Sequence, residues 1–298
     1  MAMNHLLPHV HELIDLPQSE RISAIHSDWW IGYGIANRAL DILHSLMVHP
    51  KRVRMPNLMI IGPTNNGKTM IVEKFKRKHP PSLSSCGQHD IVPIVIMQMP
   101  SDPSPGRFYT SLMRAINMPY LNYRVPTAIE QTVLRILGSI DTRILIIDEI
   151  HNLLSGSNSK QQEFLNLLRF IGNELRLSIV GVGIKDAYLA IRTDNQLENR
   201  FEPLVLPMWS DDVEFARLLA SFAQILPLKK PSNLLADEVR QMILKKTEGT
   251  IGEISTFIRR AAELAIITEN ECIDYELLSQ VEYLGPQARR RVYESVRI

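Results

Sequence analysis

The octet Gly62-Pro63-Thr64-Asn65-Asn66-Gly67-Lys68-Thr69 constrains this chain more than any other stretch. It matches G-x-x-x-x-G-K-[ST] and lies between the short apolar run Leu58-Met59-Ile60-Ile61 and a helical pattern over 68–78. Glycines let the backbone curl so that successive N–H groups converge on phosphate oxygens. The helix that follows points its positive end at the same place. Lys68 sets a cation at the β/γ-phosphates and Thr69 offers a hydroxyl to Mg²⁺. The cradle expected for a nucleoside triphosphate thus runs from Gly62 to Thr69, with Met70 closing it.

A second signal completes the first. Ile144-Leu145-Ile146-Ile147-Asp148-Glu149 reads as a buried strand ending in two carboxylates. Asp148 can hold Mg²⁺ through its water shell, and Glu149 can polarise a water for in-line attack on the γ-phosphate. Acids at a strand end are only moderately specific alone; joined to a phosphate loop upstream they form a nucleotide-hydrolysing set. The continuation Ile150-His151 makes a DExH string like that of superfamily-2 helicases. Those need a second motor domain, for which 298 residues leave no room, so a helicase is not expected. A third element, Leu197-Glu198-Asn199-Arg200-Phe201, precedes a fifth strand. The plain reading of Arg200 is a surface salt bridge. In oligomeric ATPases of this design, however, the same place supplies an arginine finger to a neighbour's γ-phosphate, and Arg200 is the candidate.

Around these motifs, short apolar strands (58–61, 91–97, 144–147, 177–182, 204–206) alternate with helical patterns at about 35–47, 68–78, 107–117, 127–138, 160–175 and 185–192. Alternation of this kind predicts an α/β fold whose parallel sheet is covered on both faces. After Pro207 only helical patterns remain, over 211–226, 232–246, 251–268 and 274–283, with Asp211 and Ser232 as expected N-caps. The expected organisation is an N-terminal arm and helical extension (1–50), an α/β ATPase domain (51–209), a helical lid (210–285) and a basic tail (286–298) carrying Arg289, Arg290 and Arg291. Residues 1–18, broken by Pro8 and Pro17, read as a loosely ordered arm, and His5, His9 and His11 there are not expected to bind metal. Cys86 and Cys272 form no CxxC motif and suit reduced thiols in a reducing cytoplasm. No apolar run approaches the ~18 residues of a membrane span and the N-terminus lacks signal-peptide character, so a soluble cytoplasmic protein is expected. Lys plus Arg is 33 against 32 Asp plus Glu, a net charge of +1, which excludes gripping nucleic acid by bulk charge; such contacts must be local.

The chain resembles the TniB/TnsC family of AAA+ transposition ATPases, and TniB most. The residues that carry the likeness are Arg54-Met55-Pro56-Asn57-Leu58 running into the phosphate loop, then Ile71-Val72-Glu73-Lys74-Phe75. Asp28-Trp29-Trp30-Ile31-Gly32-Tyr33 and Gly249-Thr250-Ile251-Gly252-Glu253-Ile254 add to it, so that the similarity spans roughly residues 20–285. The resemblance implies an AAA+ P-loop NTPase with a five-stranded parallel sheet and a small helical lid. It implies ATP and Mg²⁺ as cofactors of an ATP hydrolysis that two departures, at Ile184 and Glu253, are expected to slow. It also implies a homo-oligomer, ring or helical filament, that assembles on double-stranded DNA and recruits or activates a DDE transposase beside a TniQ-type target-selection protein, away from any membrane. By the same analogy Trp30 and Tyr33 would lie over the adenine, against the plain reading of core packing.

Two departures bear on hydrolysis. Ile184 follows Val180-Gly181-Val182-Gly183 where many AAA+ proteins place a polar sensor, and Glu253 stands about where relatives carry a sensor arginine. Arg259 and Arg260 read as a solvated helix face. In the resembled family DNA contacts come from loops and helix starts after the second strand; here these carry Arg107, Arg124 and Thr127, suited to sequence-independent phosphate contacts. The alternatives are a helicase-loader or initiator-type AAA+ ATPase, or an ATP-binding scaffold with little hydrolysis. A metabolic kinase is disfavoured by the lack of an acceptor-substrate lid.

Overall fold

The computed structural model describes residues 5–27, 29–87, 89–118, 126–192 and 194–295. The chain forms two compact units: residues 35–207, and residues 1–34 together with 208–298.

The first unit is built on five parallel strands: β1 (Asn57–Ile61), β2 (Ile94–Gln98), β3 (Ile144–Asp148), β4 (Ser178–Gly183) and β5 (Phe201–Val205). Their order is β2-β3-β4-β1-β5. The register sets Ile96, Ile146, Val180 and Leu58 side by side across three successive pairings. Every residue of β1, β3 and β4 is buried, which is why these segments are apolar runs rather than alternating patterns. Helices Lys68–Lys78, Pro105–Ala115, Pro126–Ser139, Asn158–Leu175 and Lys185–Ile191 fill the crossovers. Phe108, Leu112, Val133, Phe164, Leu168 and Ile171 pack in one core with strand residues Val95, Leu145 and Ile179, and Phe108 meets Phe164 edge-on at 5.3 Å. One buried polar group is structural: Asn57 Oδ1 accepts from Ile179 N at 2.9 Å, tying β1 to β4.

Two strand expectations shift. The second strand begins at Ile94, not at residue 91, because Pro93 has no N–H to give the ladder. Ile91 instead closes a two-residue antiparallel pair, Ser82–Leu83 with Asp90–Ile91. β5 runs from Phe201 through Pro203, a proline tolerated because this strand pairs on one side only, with β1.

In the second unit, helices Gln18–Ile25, Val213–Ile225, Asp237–Thr247, Ile251–Ile267 and Tyr275–Gln280 enclose Phe215, Leu219, Phe257, Ile258 and Leu278. Capping differs from expectation. Asp212, not Asp211, accepts from Phe215 N (2.9 Å), while Asp211 is engaged by Arg240 (2.7 Å). Ser232 caps nothing; its hydroxyl accepts from Ile273 N (2.9 Å), and the helix starts later, at Asp237. The expected loose arm is corrected too. Pro8 opens a 3₁₀ turn (Pro8–Val10) that leads into His11–Ile14, and Pro17 immediately precedes Gln18–Ile25, so both prolines start helices instead of breaking one. Leu6, Val10 and Ile14 are buried together. The three histidines serve this packing: His5 Nε2 lies 3.1 Å from Leu228 O, His11 Nε2 lies 3.2 Å from Leu6 O, and His9 stacks on Trp29. Among the described residues no helix is long and apolar enough to cross a membrane.

A buried ion pair holds this unit. Arg21 donates to both Glu271 oxygens (2.8 and 2.5 Å) and, through Nε and Nη2, to Pro227 O. Burial alone would raise the Glu271 carboxyl; the hydrogen bonds from Arg21 and Lys229 N and the charges of Arg21 and Lys229 outweigh it and hold it below the ordinary value. The pair's contribution is therefore present above the ordinary carboxylate range and is lost as pH falls through the depressed folded value. Arg21→Ala is expected to destabilise the protein by roughly 3–5 kcal/mol, since it strands a buried carboxylate. Urea unfolding of the variant at neutral pH measures this, and the gap from the parent protein should narrow in acid.

Candidate nucleotide site

The phosphate loop leaves β1 at Ile61 and turns through Gly62 into the helix Lys68–Lys78. Asn65 (φ 59°) and Gly67 (φ 79°) lie in the left-handed region, which folds the chain back on itself before the helix begins. Helix geometry leaves the N–H groups of the first turn, Lys68, Thr69 and Met70, without intrahelical acceptors. Two clamps set the loop's mouth. Gly62 N donates to Gly183 O (3.2 Å), joining the ends of β1 and β4. The buried Asn66 amide donates to Leu206 O (3.0 Å) and Pro207 O (2.9 Å), fastening the loop to the segment after β5.

Lys68 is buried and curls over the loop, its Nζ donating to Gly62 O (2.9 Å) and Pro63 O (2.6 Å). Burial pushes its ammonium below the usual lysine value, against the opposing pull of Glu149 and Asp148. Thr69 Oγ1 donates to Asp148 Oδ2 at 2.6 Å, bringing together the two residues expected to hold Mg²⁺. Asp148 Oδ1 accepts from Glu149 N (2.8 Å). Glu149 itself adopts a left-handed backbone (φ 53°), a conformation that turns the chain sharply off the end of β3. Its carboxylate lies 3.0 Å from His151 Nε2, while His151 Nδ1 is buried with no hydrogen-bond partner among the described residues. Space is tight on the facing strand: a Cβ at Gly183 would stand 3.1 Å from Ile150 Cγ2, so Ile150 would have to give way slightly.

This donor set fits a triphosphate with a divalent cation: loop and helix-start amides, a desolvated lysine at the loop, and a hydroxyl–carboxylate pair of hard oxygens. Ile184 caps the helix Lys185–Ile191 just beyond β4. Arg200 stands at the other end of the sheet from this set, before β5, where its Nη1 donates to Asn173 Oδ1 (2.8 Å). Arg107 is exposed on the helix Pro105–Ala115. Thr127 begins the helix Pro126–Ser139, its side chain not described, and Arg124 lies outside the described residues.

Trp30 and Tyr33 belong to the helical unit, as does Glu253. Tyr33 packs edge-on against Trp209 (5.1 Å) and its hydroxyl is pushed up to about 12 by burial. Glu253 is buried; the Tyr283 hydroxyl donates to one of its oxygens and Arg289 to the other (2.7 Å). Burial and the Glu253 hydrogen bond raise the Tyr283 hydroxyl. Arg289 is thereby the one member of the basic tail's Arg289–Arg291 run that docks on Glu253. Arg260 is engaged as well, donating to Glu282 O (3.0 Å) and lying over the Tyr283 ring. The sequence reading missed Asn66 as a brace, His151 as the neighbour of Glu149, and Arg54, which shares a cavity with Arg200.

A parallel sheet ordered β2-β3-β4-β1-β5, with a phosphate loop after β1 and an acid pair after β3, defines a P-loop NTPase of the AAA+ type. The family model for "Bacterial TniB protein" matches residues 21–211, more than half of the chain, and the chain belongs to that family. Among solved structures it is similar to the ORC2 protein of Aeropyrum pernix in its ADPNP–ADP complexes, with 15% identity and a TM-score of 0.62 over 92% of this chain and 74% of that one. The Aeropyrum pernix ORC1 protein in complex with DNA gives 17% identity and 0.59, covering 91% and 69%. Cdc6p from Pyrobaculum aerophilum gives 14% and 0.54, covering 92% and 70%. At such identities the shared property is the fold. Among curated proteins no match is found.

Asn66→Ala removes both clamps to the segment after β5. Losing two buried hydrogen bonds is expected to cost about 1–3 kcal/mol of stability. ATP affinity, read by isothermal titration, should fall with it; full affinity together with full stability would show that the amide does not brace the loop.

Proposed function

We propose that this protein is an ATP-dependent regulator of DNA transposition. ATP binding drives assembly into a ring or helical filament on double-stranded DNA. The assembly recruits or activates a DDE transposase, with a TniQ-type target-selection protein as a further partner, and hydrolysis releases it. Three things support the reading: membership of the TniB family, the AAA+ fold, and the joining of the phosphate loop to the acid pair through Thr69 and Asp148. That last contact carries it, because it gathers the triphosphate and Mg²⁺ ligands of two separate strands at one point.

In this reading the amides from Gly62 to Met70 cradle the phosphates, Lys68 leaves the loop carbonyls for the β/γ-oxygens, and Thr69 and Asp148 hold Mg²⁺. When bound, Mg²⁺ neutralises charge on the β- and γ-oxygens. Glu149 orients and deprotonates the attacking water, Arg200 acts on the nucleotide of a neighbouring copy, and Trp30 and Tyr33 face the adenine. Arg107, Arg124 and Thr127 contact the DNA backbone. A net charge of +1 makes one copy a weak DNA binder, and assembly sums its few contacts. Solution in the cytoplasm is the matching location.

A second reading, an ATP-binding scaffold with little turnover, is favoured by two observations. Ile184 offers no polar group to water, and Glu253, engaged by Tyr283 and Arg289, puts a carboxylate at a sensor-like position. Glu149→Gln separates the two. As an active ATPase the variant retains ATP, releases phosphate at least about a hundredfold more slowly and lengthens the life of DNA-bound assemblies; a scaffold releases phosphate at its former rate. Lys68→Ala is expected to weaken ATP binding by one to two decades, the worth of a charge-assisted hydrogen bond of ~1.5–3 kcal/mol. Electron microscopy with duplex DNA and a non-hydrolysable ATP analogue tests the whole: the parent protein should coat or encircle DNA, and Lys68→Ala should leave it bare.

A further inference from the structure

The parallel sheet gives the α/β unit two unlike ends. The phosphate loop occupies the carboxyl end; the segments that enter β1 and β5 line a cavity of about 560 Å³ at the amino end. Arg52, Arg54, Arg200, His49, Gln196 and Asn199 face into it, and no carboxylate lines it. Arg200 is half-buried and its acceptor there, Asn173 Oδ1, is neutral. Among the described residues neither the Arg52 nor the Arg54 guanidinium has an ion-pair or hydrogen-bond partner. The nearby carboxylate, Asp194, is occupied: it caps the turn Asn195–Glu198 and faces Arg169 (3.7 Å).

The fold brings the three arginines to one place, Arg200 half-buried and Arg52 and Arg54 exposed. Met55 is buried beside them, and Asn57 N donates to Arg200 O (2.8 Å), pinning the entrance of β5 to that of β1. Burial, and then the charges of Arg54 and Arg169, push the Arg200 guanidinium below its usual value. Like charges crowded into a partly desolvated cavity repel, and a multivalent anion removes the cost. A duplex backbone presents single charges spread along a line, whereas these cations converge on one point, as a compact polyphosphate requires. The anion that the donor set at the opposite end of the same unit fits is a triphosphate. Copies stacked head to tail set the amino end of one sheet against the carboxyl end of the next, the heterologous contact that builds rings and filaments.

We propose that this cavity is a half-site for the triphosphate held on the phosphate loop of a second copy of this chain, and that Arg54 is a second trans-acting cation beside Arg200. The inference rests on the assembled-ATPase reading above and adds to it a residue and a pocket. Arg54 bridges the terminal phosphates of the neighbour's nucleotide, so ATP is a ligand of two copies at once.

The test uses the full chain with duplex DNA and compares Arg54→Ala, Arg54→Lys and Arg200→Ala. Arg54→Ala should bind a fluorescent ATP analogue normally when dilute, because its own loop is untouched. At assembling concentrations it should release phosphate about tenfold or more slowly and need a correspondingly higher concentration to assemble with a non-hydrolysable analogue, as loss of a charge-stabilising donor predicts. Arg54→Lys should retain more of both. Mixing Arg54→Ala with Lys68→Ala copies should restore turnover, each supplying the half-site that the other lacks. Unchanged turnover and assembly in Arg54→Ala, or a loss that Lys68→Ala copies never rescue, overturns the proposal. If Arg200→Ala is nonetheless defective and rescued in the same mixtures, the assembled-ATPase reading stands without Arg54. If Arg200→Ala is also indistinguishable from the parent, that reading falls too. A loss in Arg54→Ala confined to affinity for DNA, with analogue-driven assembly in the absence of DNA intact, makes the cavity a DNA site and equally overturns the proposal.

Discussion

The hydrogen bond from Thr69 to Asp148 joins the helix after β1 to the end of β3, two strands that are not neighbours in the sheet. β4 lies between them, parallel to both, and carries glycine at positions 181 and 183. At Gly181 a Cβ would come within 2.6 Å of Met59 Sδ, and at Gly183 it would press on Ile150 and His151. The glycines of β4 therefore let the turn after β3 settle over the sheet's end, and that turn aims Asp148 at the phosphate loop. The ligand crevice of an open parallel sheet lies outside the carboxyl ends of its strands, and here three of those ends are locked to one another: β1 to β4 through Gly62 N, and β3 to the loop through Asp148.

The same parallel geometry makes the molecule polar. All five strands run one way, so the entering segments gather at one end and the leaving segments at the other. Chain entry brings Arg54 and Arg200 together; chain exit brings Lys68, Thr69, Asp148 and Glu149 together. The α/β unit in this way has one end where cations gather and another that bears two carboxylates.

How much of this was legible in the sequence follows from whether a feature is local. The phosphate loop and the acid pair are written in consecutive residues next to apolar strands, and the structure joins them through Thr69 and Asp148. β1, β3 and β4 could be read because full burial demands unbroken apolar runs. What failed was anything decided by partners distant in sequence. Pro8 and Pro17 read as breaks but act as helix starts, because Leu6, Val10 and Ile14 find a place to bury. Asp211 and Asp212 are equivalent as caps until Arg240 takes the first. Arg54 had only a family likeness to distinguish it; its meaning comes from Arg200, which the sheet places beside it. Asn66 looked like one more loop residue until the carbonyls of Leu206 and Pro207 came within reach.

Glu149 shows how the local and the distant meet. A non-glycine residue in the left-handed region carries a cost on the order of 1–3 kcal/mol and persists only where its surroundings determine it. Here they do so on three sides. Its N–H is taken by Asp148 Oδ1, its carbonyl accepts from Asn152 N (2.9 Å), and the next residue, Ile150, is fully buried against β4. An extended backbone at this point would continue β3 and carry the carboxylate away from the phosphate loop. The left-handed turn instead ends the strand at Asp148 and leaves the Glu149 side chain partly exposed, with His151 as its neighbour. The left-handed backbone of Glu149 and the buried Nδ1 of His151 occur in the same turn, on either side of Ile150, which is anchored in the core. The fold thus accepts a local cost to separate two adjacent carboxylates into two environments: one buried and tied to Thr69, the other free to meet water.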